Sequence, residues 1–177
     1  MKPGKAFVEL DKALHLRVGF DCGEPLLNDF LATKAVRHMA LGVNFTKVLP
    51  ASVPGGDGKF PICAWFTVAP GSVERETLPS ARKLPHYPIP VFLLAQLAVH
   101  KECQGQGLGK TTLIKALEHL HETAKYMKAH AVVVDALNSR AGGFYLKYGF
   151  RGLGMVGGME RFYMPMNEVE ALFAERR

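Results

Sequence analysis

Leu94-Ala-Gln-Leu-Ala-Val-His-Lys-Glu-Cys-Gln-Gly-Gln-Gly-Leu-Gly-Lys110 is the stretch that decides the fold of this 177-residue sequence. An apolar run ends at Val99, a turn rich in glutamine and glycine follows from Gln104 to Gly109, and a helical pattern begins directly after it. Glycines let a backbone approach a phosphate closely, and a helix N-terminus offers free N–H groups and the positive end of its dipole. The order strand, glycine loop, helix therefore predicts an anion-binding site.

Two well-known phosphate loops do not fit this turn. In a Walker loop Lys110 would require glycine at position 104, which is Gln104. A dinucleotide fingerprint started at Gly105 would require glycine at position 110, which is Lys110. The pattern that remains is Gln-x-x-Gly-x-Gly at Gln104, Gly107 and Gly109, and it resembles the acyl-CoA loop of the GCN5-related N-acetyltransferases (GNAT).

This resemblance implies a GNAT fold, in which helices flank a central mixed, mostly antiparallel sheet and acetyl-CoA binds at a splay between the two core strands. The loop amides would hold the CoA pyrophosphate, and the strand before the loop would pair with the pantetheine arm and polarise the thioester carbonyl. A glycine-rich turn without a ligand is the alternative for the loop taken alone. The cofactor-binding residues implied are Leu97, Ala98, Val99, Gln104, Gly105, Gln106, Gly107, Leu108, Gly109, Lys110, Asn138, Phe144 and Tyr145.

A second motif follows a continuous apolar, β-branched run at 131–137, which is typical of a buried strand. A short helical pattern then runs from Asn138 through Tyr145 to Tyr148 and stops at Gly149. It resembles the second CoA-contacting motif of the same family. The resemblance makes Tyr145 the candidate catalytic acid and Asn138 a polar contact to the CoA arm. A core aromatic is the alternative for Tyr145.

Composition predicts one globular domain over residues 1–177, since 48% of the residues are hydrophobic and 21% are charged. The longest apolar stretch, around Val91 to Val99, has the length of a strand, and no signal peptide follows Met1. We therefore expect a cytoplasmic protein that does not bind a membrane. Three cysteines without a C-x-x-C motif indicate no metal and no disulfide frame, and Cys103 is more simply a turn residue than a nucleophile.

The net charge of +6 arises from 22 basic and 16 acidic residues. This excess suits a polyanionic partner such as RNA, although a basic surface is also common in proteins that bind none. The cations we assign to an RNA surface are Lys34, Arg37, Arg75, Arg82, Lys83, Lys147 and Arg151.

The remaining elements are predicted from periodicity and turn residues. Leu113, Leu117, Leu120, Ala124 and Met127 share one face of the helix after the glycine loop, with His119 and His121 on a solvated face. The other predicted elements are a strand at 5–10, a helix from Pro25 to Met39, strands at 43–49 and 61–68, a polar excursion at 70–90, a strand at 159–166 and a helix at 168–177.

A narrower resemblance is to the acetyltransferase toxins of type II toxin–antitoxin modules. It rests on Phe20-Asp-Cys-Gly-Glu24, on Leu78-Pro-Ser80 with Ile89-Pro90, and on the segments 162–165 and 170–173, so it spans nearly the whole chain. It implies acetyl transfer to the α-amine of an aminoacyl-tRNA, which stops translation. It also implies a homodimer and a ribbon-helix-helix antitoxin, through which alone operator DNA is bound.

The chain differs from many of these toxins at one place, and two alternative functions remain open. Many of these toxins carry Gly-Arg where this chain has Ala95-Gln96, which leaves the CoA site intact but puts an identical RNA contact in doubt. A small-molecule or protein N-acetyltransferase of the same fold is the alternative enzyme. A non-enzymatic RNA-binding module would have no affinity for CoA.

The chemistry of the implied reaction needs no strong base. A free α-amine titrates at about 7.7–8.0, and esterification of the adjacent carboxyl lowers that pKa further. Much of the amine is therefore neutral at cellular pH. The protein's task is then to position the amine, to polarise the carbonyl through the Val99 N–H, and to supply a proton to the departing thiolate from Tyr145.

Overall fold

A computed structural model describes residues 1–174 and shows eight strands in a mixed sheet flanked by helices. The strands are β1 (Val8–Glu9), β2 (His15–Leu16), β3 (Phe45–Pro50), β4 (Phe60–Val73), β5 (Ile89–Val99), β6 (Ala131–Ala136), β7 (Arg151–Val156) and β8 (Met159–Pro165). The helices are α1 (Pro25–Asp29), a π turn (Phe30–Lys34), α2 (Ala35–Ala40), α3 (Leu108–Thr123), α4 (Ser139–Lys147) and α5 (Met166–Ala174). Short 3-10 turns lie at Arg75–Thr77, Ala81–Lys83 and Lys101–Cys103.

The strands hydrogen-bond in the order β1-β3-β4-β5-β6-β8-β7, and β2 pairs with β4. The pairs β1–β3, β3–β4, β6–β8 and β7–β8 are antiparallel, whereas β5–β6 and β2–β4 are parallel. Between β5 and β6 the register joins Phe92 to Val132 and Leu93 to Val133. The predicted mixed, mostly antiparallel sheet is confirmed.

The chain forms two compact units. The first comprises residues 1–69 and 96–116, and the second comprises residues 70–95 and the residues after 116.

In the first unit, apolar side chains surround Trp65, which is completely buried. Phe30 of the π turn stacks on the Trp65 ring at 5.8 Å, and Phe20 meets it edge-on at 6.2 Å. A second cluster contains Cys63, Val99 and Cys103. Full burial of Cys103 supports its assignment as a structural residue of the turn.

In the second unit, β6 is buried on both faces from Ala131 to Val134, which explains the apolar run there. Asp135, which follows, is half-buried and accepts a hydrogen bond from Arg161 Nε at 2.7 Å. Val133 packs with Val73, Leu78, Ile89 and Val91 in one cluster. Gly149, with φ of 93°, ends α4 in the left-handed conformation that favours glycine at a helix C-terminus.

Several predicted boundaries were wrong. The excursion predicted at 70–90 is shorter, since β4 continues through Pro70 and Gly71 to Val73 and β5 begins at Ile89. Burial of Val73 and close packing of the Leu93 side chain against Gly71 override the usual strand-breaking effect of proline and glycine. The opening strand covers only Val8–Glu9.

The helix after the glycine loop is also shorter than predicted. Leu113, Leu117, Leu120 and Ala124 are buried as predicted, but α3 ends at Thr123 and Met127 is 63% exposed. The terminal helix begins at Met166, and its predicted residues 175–177 lie outside the described part of the chain.

Within residues 1–174, helices long and apolar enough to span a membrane are absent.

Candidate active site

The glycine loop has the backbone conformation that an anion-binding turn requires. Gly105 and Gly107 both have φ of 77°, a region that L side chains rarely adopt. A Cβ built on either glycine would meet no atom within 4 Å, so the space beside the loop is open. Helix α3 begins directly after Gly107, at Leu108.

The loop and the first turn of α3 present free backbone donors. Among the described residues, no backbone acceptor outside the helix pairs with the amides from Gly105 to Lys110. The next amide, that of Thr111, donates to the Gly107 carbonyl at 3.2 Å. Six adjacent N–H groups at the positive end of a 16-residue helix can therefore bind an anion such as a diphosphate.

Gln104 braces the loop with its side chain. Its Nε2 donates to the Val99 carbonyl at 2.8 Å and to the Cys22 carbonyl at 3.0 Å, which uses both amide hydrogens. The Gln104 backbone amide is also used, since it donates to the Lys101 carbonyl at 3.4 Å. The glutamine of the motif thus joins the loop to the end of β5.

A second brace joins the loop region to the segment 20–24. Lys101 Nζ donates to Asp21 Oδ2 at 2.6 Å, and the Lys101 amide donates to the Asp21 carbonyl at 2.8 Å. Asn28 Nδ2 donates to Asp21 Oδ1 at 3.0 Å. The hydrogen bond from Lys101, assisted by those from Gly23 and Asn28, lowers the pKa of Asp21 to about 2.

The segment 20–24 resembles a family signature, but its residues alone predict no role for it in the site. The available signal was its composition, since aspartate followed by cysteine and glycine is typical of a turn held by side-chain hydrogen bonds. In the structure Asp21, Cys22 and Asn28 support the backbone that leads into the glycine loop.

Hydrogen bonds hold the C-terminal end of β5, the strand before the loop, in a fixed position. The His100 amide donates to the Cys63 carbonyl at 2.8 Å, and the Val99 carbonyl is held by Gln104. Ala98 is buried in the Trp65 cluster, and Leu97 is half-buried. The first unit therefore brings the predicted residues 97–99 and 104–110 together.

The second unit brings Asn138, Phe144 and Tyr145 together on α4. Asn138 caps this helix, because its Oδ1 accepts a hydrogen bond from the Ala141 amide at 2.9 Å. Phe144 lies edge-on to Tyr145 at 5.3 Å. Gly142 keeps α4 close to β8, since a Cβ there would lie 3.2 Å from the Phe162 ring.

Tyr145 is 6% exposed and is surrounded by aromatic rings, with Phe150 at 5.5 Å and Phe162 at 6.4 Å. Within the described part of the protein its hydroxyl forms no hydrogen bond. Burial raises the pKa of Tyr145 above its ordinary value near 10, because the phenolate loses its hydration. The hydroxyl therefore keeps its proton at cellular pH and can donate to a ligand.

The seven cations assigned to an RNA surface differ in their surroundings. Lys34 pairs with Asp29 at 2.9 Å, and Arg151 pairs with Glu168. Arg75 is used inside the protein, where its Nε donates to the Leu84 carbonyl at 3.1 Å. Lys147 lies over the Tyr148 ring at 5.5 Å. Of the seven, within residues 1–174, those that form no ion pair, hydrogen bond or cation–π contact are Arg37, Arg82 and Lys83.

Among the described residues, groups of three or more histidine, cysteine, aspartate or glutamate side chains placed to hold a metal ion are not found. The prediction of two solvated histidines was wrong, since His119 and His121 are both half-buried and His121 stacks on Phe173 at 5.3 Å.

Comparison with known proteins relates the chain to one family. Residues 72–152 match the acetyltransferase (GNAT) domain. A tRNA-acetylating toxin of Mycobacterium tuberculosis is 32% identical over 133 residues, which cover 74% of this chain and 75% of that protein.

Solved structures of toxins have the same fold. A tyrosine-to-phenylalanine mutant of KacT superposes with a TM-score of 0.85 at 27% identity, covering 95% of this chain and 98% of that one. AtaT complexed with acetyl-methionyl-tRNAfMet superposes with a TM-score of 0.82 at 29% identity, covering 95% and 98%. Further similar structures contain AtaTR with acetyl-CoA, AtaT with the C-terminus of its antitoxin AtaR, and KacTA with DNA.

Proposed function

Because this chain belongs to the GNAT N-acetyltransferases, in the branch of the tRNA-acetylating toxins, we propose that it transfers an acetyl group from acetyl-CoA to the α-amino group of an aminoacyl-tRNA. The acetylated tRNA can no longer serve as an acceptor in peptide bond formation, so translation stops. We propose that both units act as one catalytic domain over residues 1–177.

The six free amides from Gly105 to Lys110 carry the proposal. They fit the diphosphate of acetyl-CoA in number, polarity and exposure, and the open space beside Gly105 and Gly107 leaves room for it. Gln104, Asp21 and Lys101 hold the loop in this conformation before a ligand arrives. A preformed site does not spend binding energy on ordering the loop.

Acetyl-CoA supplies an activated acyl group on a good leaving group. The end of β5 provides the Val99 N–H, which polarises the thioester carbonyl in this proposal. The neutral α-amine then needs only to be positioned, and no general base is required.

Tyr145 serves as the general acid in this proposal. The amine loses a proton as its nitrogen forms the new bond to the acetyl carbon, and the CoA sulfur gains a proton as the carbon–sulfur bond breaks. The Tyr145 hydroxyl donates its proton to the sulfur and recovers one from the amine side. A phenol with a raised pKa is fully protonated at pH 7, which this role requires.

The partners follow from the same branch. We propose that the protein acts as a homodimer in the cytoplasm and is silenced by a ribbon-helix-helix antitoxin, which carries the operator-binding function of the pair. Structures of AtaT with its antitoxin and of KacTA with DNA support an antitoxin partner.

Mass spectrometry of charged tRNA tests the function. Purified protein is incubated with isotopically labelled acetyl-CoA and total aminoacyl-tRNA, and the amino acids are identified after release from the tRNA. We expect label on the α-amine of one or a few amino acids. Growth arrest on expression without an antitoxin is the second expected result. Label only on proteins or free small amines, without growth arrest, would instead assign the alternative N-acetyltransferase function.

A further inference from the structure

The second unit contains a surface groove of about 960 Å³ outside the candidate active-site residues. The 3-10 turn at Ala81–Lys83 forms one part of its wall, and Arg151 and the start of α5 also line it. His130, directly before β6, also lines it. We call this cavity the basic groove.

Arg82 and Lys83 are the available cations of the groove. Both are exposed, and neither forms a hydrogen bond or ion pair with another described residue. Arg75 of the same excursion is instead bound to the Leu84 carbonyl and to Glu76. In the segment between β4 and β5, Arg75 therefore stabilises the segment itself, whereas Arg82 and Lys83 are exposed to solvent.

The wall that carries these cations is fixed in place. Ser80 Oγ lies 3.2 Å from His130 Nε2, which ties the turn to the groove floor. Leu78 is 3% exposed in the core cluster, and Leu84 packs against the same cluster. The His130 backbone is held as well, since its amide donates to the Pro90 carbonyl at 2.9 Å. The backbone that carries the two cations therefore needs little further ordering when an anion binds, whereas their exposed side chains still lose rotamer freedom.

The part of the lining that comes from Arg151 and α5 differs in charge from the 3-10 turn. Arg151 pairs with Glu168 and lies over the Tyr163 ring at 5.9 Å, and Glu170 adds a second carboxylate to the lining. An anion in the groove therefore gains most from Arg82 and Lys83 and is kept from the wall that carries Glu168 and Glu170. This uneven charge predicts an anionic ligand that lies along the wall formed by the 3-10 turn at Ala81–Lys83.

We propose that Arg82 and Lys83 bind phosphates of the tRNA backbone along this wall of the basic groove, apart from the residues that act on the acetyl group. The inference rests on the proposed aminoacyl-tRNA substrate, which is a polyanion and matches the net charge of +6. It narrows the seven cations assigned from sequence to two for this surface, and it leaves Arg151 in its surface ion pair with Glu168.

Binding of deacylated tRNA tests the groove independently of catalysis. Affinity is measured by fluorescence anisotropy at several salt concentrations for the wild type and for the double variant Arg82→Glu/Lys83→Glu. We expect about tenfold weaker binding at low salt, with the slope of log affinity against log salt reduced by about 1.4–1.8, since each phosphate contact contributes about 0.7–0.9. Acetyl-CoA affinity, measured by calorimetry, should not change.

Two control variants distinguish the loss of phosphate contacts from a general effect of net charge and from misfolding. Lys128→Glu reverses one cation, where the double variant reverses two, at an exposed residue of the same unit outside the groove lining, and should leave the slope nearly unchanged. Arg82→Lys/Lys83→Arg keeps both charges and should retain binding. An equal loss of affinity per reversed charge in the Lys128→Glu variant and the double variant would overturn the proposal.

The outcomes distinguish this proposal from the proposed function. If the wild type acetylates aminoacyl-tRNA and the double variant binds tRNA like the wild type, the groove proposal fails alone. If the wild type acetylates no tRNA but the double variant loses RNA affinity, the proposed function fails alone. Loss of binding only to an acidic peptide, with tRNA affinity unchanged, would assign the groove to a protein partner and overturn the RNA proposal.

Discussion

Lys101 donates a hydrogen bond of 2.6 Å to the carboxylate of Asp21, 80 residues earlier in the chain. The lysine stands in the 3-10 turn that precedes the glycine loop, and the aspartate stands in the turn that precedes α1. Gln104 reinforces this link through the Cys22 carbonyl. The segment 20–24 therefore holds the glycine loop through hydrogen bonds to Lys101 and Gln104. This gives a physical reason why the segment and the loop are found in the same chain.

Replacing Asp21 by asparagine should loosen the glycine loop. Lys101 loses its charged partner, so the loop samples more conformations and acetyl-CoA binding weakens, by roughly a few-fold because the pair is solvent-exposed. Calorimetry with acetyl-CoA measures this change. Asp57→Asn, in the hairpin loop between β3 and β4, removes the same charge and should bind acetyl-CoA normally. Unchanged affinity in Asp21→Asn would show that the loop does not depend on this link.

The same pair predicts a pH dependence of stability. The pKa of Asp21 is lowered from 3.8 to about 2 in the folded protein, chiefly by the hydrogen bond from Lys101. A lowered pKa means that its contribution is fully present above the unfolded value and is lost as the pH falls toward 2. The difference in Tm between wild type and Asp21→Asn should stay constant from pH 7 to about 5 and shrink below about pH 4. Calorimetric scans at each pH would measure it.

Gly107→Glu should abolish acetyl-CoA binding. The new side chain would enter the open space beside the loop and would repel a diphosphate, and the backbone at φ of 77° would be strained. Gly58→Glu is a matched control, since Gly58 has φ of 79° and equally open surroundings in a hairpin loop. Both variants should lose similar stability in thermal unfolding, but only Gly107→Glu should lose binding. Normal acetyl-CoA affinity in Gly107→Glu would contradict the assignment of the loop.

Tyr145→Phe should keep the fold and the affinity for acetyl-CoA while losing most turnover. The aromatic ring that packs against Phe150 and Phe162 is retained, and only the proton donor is removed. General acid catalysis of this kind contributes about 10²–10⁴-fold. Single-turnover acetylation of aminoacyl-tRNA gives the rate. Tyr148→Phe, three residues along the same stretch, should remain active, and a Tyr145→Phe variant with the wild-type rate would end the catalytic assignment.

As the pH increases, kcat/KM should rise once and then remain constant. The rising limb reports loss of a proton from the acceptor amine, at a pKa below the free value of about 7.7–8.0. Burial raises the pKa of Tyr145 above its ordinary value near 10, so the protonated phenol persists across the accessible range. We therefore expect no falling limb of kcat/KM up to about pH 9.5. A fall between pH 7 and 9 would point to a different general acid.

Local sequence patterns predicted the elements with strong periodicity. Leu113, Leu117 and Leu120 identified the buried face of α3, and the apolar run at 131–136 identified β6. They failed where packing outweighs local preference. Pro70 and Gly71 predicted a strand end, yet β4 continues because Val73 is buried and Leu93 covers Gly71. Met127 fitted the helical spacing, but α3 had already ended at Thr123.

In the candidate site, too, some features follow from the local sequence and others only from packing. The motif residues from Gln104 to Gly109 were found because glycines before a helix carry their function in local backbone geometry. The direction of the Gln104 side chain could not be found in this way, because both of its acceptors belong to other segments. Arg75 and Arg82 likewise have equal charge in the sequence, and only packing decides that Arg75 is bound internally.

The sequence by itself determined the fold family, the glycine loop and the candidate acid Tyr145, since these depend on residue types at short spacing along one segment. Only the tertiary structure decided which side chains brace the loop and which cations remain available. Those properties depend on contacts between residues such as Asp21 and Lys101, or Ser80 and His130, that are far apart in the chain and are brought together by packing alone.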